Sequence, residues 1–389
     1  MSKKRVAFVA NDMTIGGVEQ ALVQLSKALD YDHYSYVLWL VKKEGPLLEK
    51  LDPRMEVREL PCAEDFKLPL RQGKIHVFLK GIYNRVMARR YVKSWRLNQW
   101  YTAMCAPMIP EEYDCAIAYH GTTSAVVASV LYQMAAKKRI LWVHGDHRIS
   151  PEQIKFFQTQ YRRFDRIICV SEAIRTQFTK QFSRTAEKSE VIYNIIDTEG
   201  IRKKADLPID QTLKHVSLVT VGRLAQEKGQ EMIPKTARML LDSGYEIYWY
   251  LVGEGDMRPI IEEEINKYDV GHNVILLGAK ENPYPYIKNC DVYVQPSFTE
   301  GYCTTTMEAK ILHKSIVTTD APGMREQFVT GEDGLIVKSM TAEVLAEGIK
   351  NILDHPEMME MFRKTLRKES HDNEGVLQKL YAFIDNRCI

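Results

Sequence analysis

DVYVQPSFTEGYCTTTMEAKILHKSIVTTDAPGM, residues Asp291–Met324, reads as strand, loop, helix, strand. Asp291–Gln295 is a short β-rich run. Pro296, Ser297 and Gly301 punctuate a loop. Thr304–Lys314 has the composition of a helix, with Ile311 and Leu312 apolar and Ala309 small enough for close packing. Ser315–Thr319 is the next buried strand. The order β-loop-α-β is the unit of a parallel sheet, whose ligands sit beyond the carboxyl ends of its strands. The chain is therefore expected to be an α/β protein.

The loop-to-helix junction suits an anion. Gly301 lets backbone approach a ligand closely. The amides of Thr304, Thr305 and Thr306 open the helix, where unpaired N–H groups and the helix dipole favour phosphate. Tyr302 and Cys303 complete the turn. Glu300 and Glu308 bracket it, which anion binding alone does not explain. It follows if each accepts from sugar hydroxyls, one sugar on either side of a diphosphate. Taken alone, the same residues also describe a capped helix with two solvated glutamates.

Working outward, Val216–Val221 is a strand, followed by Gly222-Arg223-Leu224-Ala225-Gln226-Glu227-Lys228-Gly229 and a helix over Met232–Leu241. Arg223 and Lys228 thus reach a strand-end edge, where Arg offers forked hydrogen bonds and Lys a point charge to a diphosphate. Glu246–Val252 is a further strand leading to Gly253-Glu254-Gly255-Asp256. Val274–Leu277 ends at Gly278, Ala279 and Lys280. Polar Ile201–Thr212, with Pro208, reads as a linker.

These motifs resemble the retaining glycosyltransferases of family GT4. The E-x7-E pair is Glu300 and Glu308. Pro296, Ser297, Gly301 and Ala309 match the surrounding pattern, with Tyr302 as its aromatic; Cys303 stands where glycine is usual, and Thr304–Thr306 replace apolar residues. Gly222–Gly229 matches the G-R-x-x-x-x-K-G motif at every fixed position. The resemblance implies the GT-B fold, two Rossmann-like domains with parallel sheets facing a central cleft: residues 1–200 for the acceptor, 201–372 for the nucleotide sugar, and a last helix, 373–389, packing back on the first domain. It also implies that Gly253 and Glu254 line the nucleotide and that Gly278, Ala279 and Lys280 meet the base.

In the first half, Arg5–Ala10 is a strand and Val18–Leu29 a helix, so Gly16 and Gly17 sit at a strand-to-helix turn. The pair reads equally as a simple tight turn or as the glycine-rich first loop of the family. Tyr113–Tyr119 ends at His120, and Arg139–Val143 at His144; the resemblance places His144 against the sugar near its reacting carbon. Asp30-Tyr31-Asp32 mimics a metal-binding D-x-D, but its position after a helix reads as a helix end.

A chain of 389 residues suggests two domains. No run approaches the ~20 apolar residues of a membrane span, and the first apolar run is too short for a signal peptide. Seven scattered cysteines without CxxC suit a reducing cytoplasm and no zinc site. Residues 1–200 hold 30 Lys and Arg against 22 Asp and Glu; the remainder holds 23 against 29. Phe66–Pro110 has no acidic residue and nine Lys or Arg, interleaved with aromatics. It reads either as packed helices with a solvated basic face or as a surface helix on anionic lipid, which would hold the protein peripherally at the inner membrane face. Nucleic acid is a weaker third reading.

The expected activity is transfer of a hexosyl unit from a nucleotide sugar, UDP-hexose by family weight, to a glycan or lipid-linked acceptor, with no cofactor and no metal. Arg223, Lys228 and the helix start at Thr304 would stabilise the leaving diphosphate, Glu308 would hold ribose, and Glu300 the transferred sugar. The alternatives are a nucleotide-sugar 2-epimerase or hydrolase of the same fold, and a non-catalytic partner subunit that binds glycan or lipid.

Overall fold

A computed structural model describes residues 3–61, 106–145 and 151–385. The chain divides into two units, Met1–Ile196 with Asp372–Ile389, and Asp197–His371. The basic segment read as a membrane-surface helix falls, over residues 66–105, outside the described residues.

The first unit is built on β1 (Lys4–Ala10), β2 (Tyr34–Leu40), β3 (Glu56–Glu59), β4 (Glu112–Ala118), β5 (Ala135–Val143), β6 (Arg166–Cys169) and β7 (Ser189–Val191). Their order is β3-β2-β1-β4-β5-β6-β7, and every pairing is parallel. Parallel strands covered on both faces must be apolar throughout rather than alternating. Val6–Ala10 and Cys115–Ala118 meet that demand, since every residue of both runs is buried. The Asn373–Asp385 helix belongs to this unit: Tyr381 stacks on Tyr34 with ring centroids 5.1 Å apart, and its hydroxyl oxygen accepts from the Asp30 amide at 2.7 Å. Asp30 itself accepts from the amides of Asp32 and His33, which makes Asp30–Asp32 a turn closing the Gly17–Ala28 helix.

The second unit carries β8 (Ser217–Val221), β9 (Tyr248–Val252), β10 (Val274–Gly278), β11 (Val292–Gln295), β12 (Ser315–Thr319) and β13 (Leu335–Val337), in the parallel order β10-β9-β8-β11-β12-β13. The order reverses between β8 and β11. At such a switch point the connections leave in opposite directions and open a crevice at the strand ends. The Gly222–Gly229 and Pro296–Cys303 loops are the two that leave there.

The presumed linker needs correcting. Thr198–Ala205 is a helix. The Asp197 carboxylate caps it by accepting from the Gly200 amide at 2.8 Å, and Arg202, Lys203 and Lys204 occupy its last turn, where cations oppose the negative dipole end. Ile201 and Ala205 are its buried face. High local charge hid an amphipathic helix of only two apolar anchors. The Thr304 helix is also shorter than its composition suggests, ending at Ile311, because His313 adopts a left-handed φ of 53°.

Among the described residues no helix is long and apolar enough to cross a membrane.

Candidate functional site

In the second unit, Gly229 brings the two switch-point loops together. It sits at φ 65°, and a Cβ there would meet the Pro296 carbonyl oxygen at 2.2 Å. The Glu227 carbonyl then accepts from the amides of Phe298 and Thr299 at 2.9 and 3.2 Å. With the loops laced in this way, Lys228 Nζ donates to both carboxylate oxygens of Glu300, at 2.8 and 2.9 Å. Ser297 Oγ donates to Glu300 Oε1 at 2.6 Å. Burial works against the Lys228 charge, yet Glu300 holds its ammonium above the usual lysine value.

The other two residues of the expected quartet have different neighbours. Arg223 Nη2 donates to Glu227 Oε1 at 2.8 Å and its side chain is 68% exposed. Glu308, on the second turn of the Thr304–Ile311 helix, is buried and accepts from the Tyr284 hydroxyl at 3.3 Å. Burial pushes the Glu308 carboxyl up to about 8, with Tyr284 and Lys204 pulling weakly the other way. The two glutamates thus occupy unlike environments, one an ion pair, the other an acid that holds its proton near neutrality.

Cys303 is the residue before the helix, with extended backbone and no side-chain cap. The amides that follow, at Thr304 and Thr305, are therefore not satisfied by a capping oxygen of Cys303, as an anion-binding helix start requires. The Cys303 thiol is buried, and burial together with the Glu300 charge pushes it up to about 11, so it stays neutral. Thr305 Oγ1 lies 3.3 Å from Cys303 Sγ and donates to Gln295 Oε1 at 3.2 Å. Gly301 and Tyr302 are half-buried, and Gly323, at φ 86°, packs against the Gly301 carbonyl.

Gly253 and Gly255 answer a packing need. A Cβ at Gly253 would meet the Gly222 carbonyl oxygen at 1.9 Å, and one at Gly255 the Leu224 carbonyl oxygen at 2.2 Å. Both glycines let the β9 turn lie on the Gly222–Leu224 backbone. Glu254 accepts from Arg258 at 2.6 Å, and its carbonyl accepts from the Leu224 amide. Gly278, at φ 73°, ends β10 and accepts from the Gly253 amide at 2.9 Å. Ala279 is exposed. Lys280 pairs with Asp210 at 2.5 Å and lies 5.8 Å from the Tyr286 ring centre.

In the first unit, Gly16 precedes the Gly17–Ala28 helix, whose first residue, Gly17, is exposed. A Cβ on Gly16 would meet Glu19 Oε2 at 2.2 Å, so the glycine makes room for that carboxylate to fold back over the helix start. His120 links this turn to the end of β4. Its Nδ1 accepts from the Asn11 amide at 2.9 Å, which puts the proton on Nε2, 3.1 Å from Glu19 Oε1. His144, just past β5, stacks on Trp142 at 5.8 Å and packs on Tyr119 at 4.4 Å. Burial, with His120 adding, pushes it well below the ordinary imidazole range, so it is neutral. Its Nε2 is buried without a hydrogen-bond partner among the described residues.

Sequence reading passed over Glu19, Tyr284 and Gln295. Glu19 lies three residues after Gly16, the spacing at which a carboxylate reaches back to a helix start. Gln295, an amide in the otherwise apolar and aromatic run Val292–Gln295, is fully buried, itself a signal.

The model of group 1 glycosyl transferases matches residues 203–369, and that of Glycosyltransferase Family 4 matches residues 15–200. The chain is 28% identical over 205 residues to the N-acetylgalactosamine-N,N'-diacetylbacillosaminyl-diphospho-undecaprenol 4-alpha-N-acetylgalactosaminyltransferase of Campylobacter jejuni, with 52% of this chain and 54% of the relative covered. It spans about half of that relative's length. It is 27% identical over 290 residues to the N,N'-diacetylbacillosaminyl-diphospho-undecaprenol alpha-1,3-N-acetylgalactosaminyltransferase of the same organism, covering 69% and 74%. Among solved structures it is similar to Anabaena HepE in complex with UDP and glucose, at TM-score 0.73 and 16% identity, over 98% of this chain and all of that one.

Proposed function

Since the chain belongs to the group 1 glycosyltransferases of family 4, with two Rossmann-like units, we propose that it moves a hexosyl unit from a UDP-linked donor to a hydroxyl of a lipid-linked saccharide or other glycan, with retention at the anomeric carbon and without a metal. The observation that carries this reading is the Lys228–Glu300 contact at the β8–β11 switch point. An ammonium has three N–H donors, and Lys228 spends two on Glu300. The third is available to a diphosphate oxygen. Among the described residues Glu300 Oε2 accepts from Lys228 alone, and it has a lone pair for a sugar hydroxyl.

In the proposed reaction the bond from the anomeric carbon to the β-phosphate oxygen breaks, and the acceptor oxygen bonds to that carbon from the same face. The acceptor proton passes to the departing phosphate. Lys228, Arg223 and the amides at Thr304 and Thr305 meet the charge that grows on the diphosphate, and preorganised donors of this kind are worth about 10²–10³ each in turnover. Glu300 orients the transferred sugar. Glu308, beside Tyr284 and about one helical turn beyond the Thr304 and Thr305 amides, serves the ribose hydroxyls. We assign the donor to the second unit and the acceptor to the first, in which His144 is the expected sugar contact. The lipid-linked saccharide is supported by the names of the two Campylobacter relatives, and UDP by the HepE complex.

The test is a donor panel of UDP-, GDP- and ADP-sugars with a polyprenyl-diphosphate saccharide acceptor, scored by product mass with and without EDTA. The expected result is an acceptor heavier by one hexosyl unit, formed equally with EDTA. Free sugar formed at the same rate without acceptor would overturn it.

A further inference from the structure

Behind the Lys228–Glu300 pair lies a buried row of polar side chains with one direction. Tyr293, Gln295 and Ser297 are each fully buried. The Tyr293 hydroxyl donates to Gln295 Oε1 at 2.8 Å and the Thr305 hydroxyl to the same oxygen at 3.2 Å. Gln295 Nε2 donates to Ser297 Oγ at 2.8 Å, and Ser297 Oγ donates to Glu300 Oε1 at 2.6 Å. A serine hydroxyl has one proton. Here it is committed to the carboxylate, so the serine oxygen must receive a donor from its other side. The amide nitrogen of Gln295 is that donor. Reversing the amide would set its oxygen against the serine oxygen, whose proton is already given to Glu300, so the order of donors is dictated from Gln295 to Glu300.

The backbone around this row is fixed as well. Thr318 Oγ1 donates to the Gln295 carbonyl at 3.0 Å, Thr319 Oγ1 to the Ser297 carbonyl, and Thr220 Oγ1 to the Val294 carbonyl at 2.7 Å. Such care over one strand exit is costly, because every buried polar group left unmatched is a penalty. An apolar residue at 295 would serve the core as well.

We infer that Gln295 is a positioning residue for the transfer reaction: its side-chain amide sets the direction of the Ser297 hydroxyl and thereby holds Glu300 in the orientation that grips the transferred sugar. This rests on the reading of Glu300 given above. The charged and titratable groups facing Glu300 are Lys228 and Cys303, and neither supplies what Ser297 supplies.

The test uses the full chain with the donor and acceptor identified by the panel, and follows kcat against pH, UDP affinity by calorimetry, and melting temperature. Gln295→Met keeps the volume and removes all three side-chain hydrogen bonds. It should lower kcat by about 10- to 100-fold, the usual cost of losing a supporting shell around metal ligands, while UDP affinity stays within about threefold. Gln295→Glu is the sharper variant. Protonated, it donates O–H to Ser297 as the amide N–H does, and transfer proceeds. Ionised, it draws the serine proton to itself and turns a lone pair toward Glu300. Its kcat should therefore fall as pH rises, along a limb that wild type lacks, with melting temperature unchanged across that limb. A purely structural role would not create this limb. Wild-type kcat in Gln295→Met, or a Gln295→Glu profile parallel to wild type, overturns the inference. Wild-type turnover in Glu300→Gln would instead overturn the reading of Glu300 beneath it.

Discussion

Lys228 Nζ lies 2.8 Å from Glu300 Oε1, a contact spanning 72 positions of sequence. With side chains 23% and 7% exposed, the pair is largely desolvated. Removing one partner of such a pair leaves an uncompensated charge, whereas removing both does not. Lys228→Met should therefore destabilise the protein by about 2–4 kcal/mol, and the double variant Lys228→Met/Glu300→Gln should recover most of that. Denaturant unfolding measures both. A double variant no more stable than the single one would show that the contact contributes nothing. Both variants should lose transfer by at least about 10²-fold.

Arg223 separates function from stability. Its partner Glu227 is four residues on, and both side chains are well exposed, 68% and 41%. Exposed pairs at this spacing contribute about 0.3–0.5 kcal/mol. Arg223→Ala should thus melt within a degree or two of wild type, since ~1 kcal/mol moves a domain of this size by about 2–4 °C. Its turnover should still fall about 10²–10³-fold, because the guanidinium is proposed to meet the diphosphate. Turnover within twofold of wild type would remove Arg223 from the site.

The parts of this fold that could be read from the chain were those where local pattern and tertiary demand agree. Continuous apolar runs such as Val6–Ala10 and Val292–Val294 announce strands buried on both faces, and the turns after them place Arg223, Lys228, Glu300 and Glu308 at one sheet edge. The pairings among those side chains were not legible. Nothing local says that Lys228 reaches Glu300 while Arg223 turns to Glu227, because that depends on Gly229 lying against Pro296, a contact between loops some 70 residues apart. The Thr198–Ala205 helix was hidden for the opposite reason: its surface is so charged that two buried residues, Ile201 and Ala205, carry the whole apolar signal. Nor does anything local say that Gly253 and Gly255 let the β9 turn lie on the Gly222–Leu224 backbone.

Glu308 makes stability depend on pH. Its carboxyl is held up to about 8 in the folded protein, against 4.5 for an exposed glutamate. Below the unfolded value both states carry the proton and the folded state has its full advantage. Between the two values the unfolded chain releases the proton and the folded one keeps it, so stability falls as pH rises and levels off above about 8. Glu308→Gln removes this dependence. It should be more stable than wild type at pH 8.5, by about 1–4 kcal/mol, and much closer to it at pH 5. Hydroxyls that donate to Glu308 favour its ionised form, so UDP binding near pH 7 should also release a fraction of a proton, read from calorimetry in buffers of different ionisation enthalpy, and Glu308→Gln should release none. A pH-independent difference between the two proteins would refute the buried, protonated carboxyl.

His144 should show the cost of a functional group kept in a dry place. Its ring stacks on Trp142 and packs on Tyr119 as an apolar side chain would, but its Nε2 has no partner among the described residues. A buried polar atom without a partner costs about 1–3 kcal/mol. Phenylalanine fills the same stack without that atom, so His144→Phe should be as stable as wild type or more so. The gain should grow as pH falls below about 6.5. There the unfolded histidine takes a proton that the folded, neutral one refuses, and wild type loses stability where the variant does not. Transfer should nevertheless drop by about 10²-fold, the scale on which a hydrogen bond made in the transition state is felt. A variant that is both more stable and fully active would mean that the imidazole is only packing.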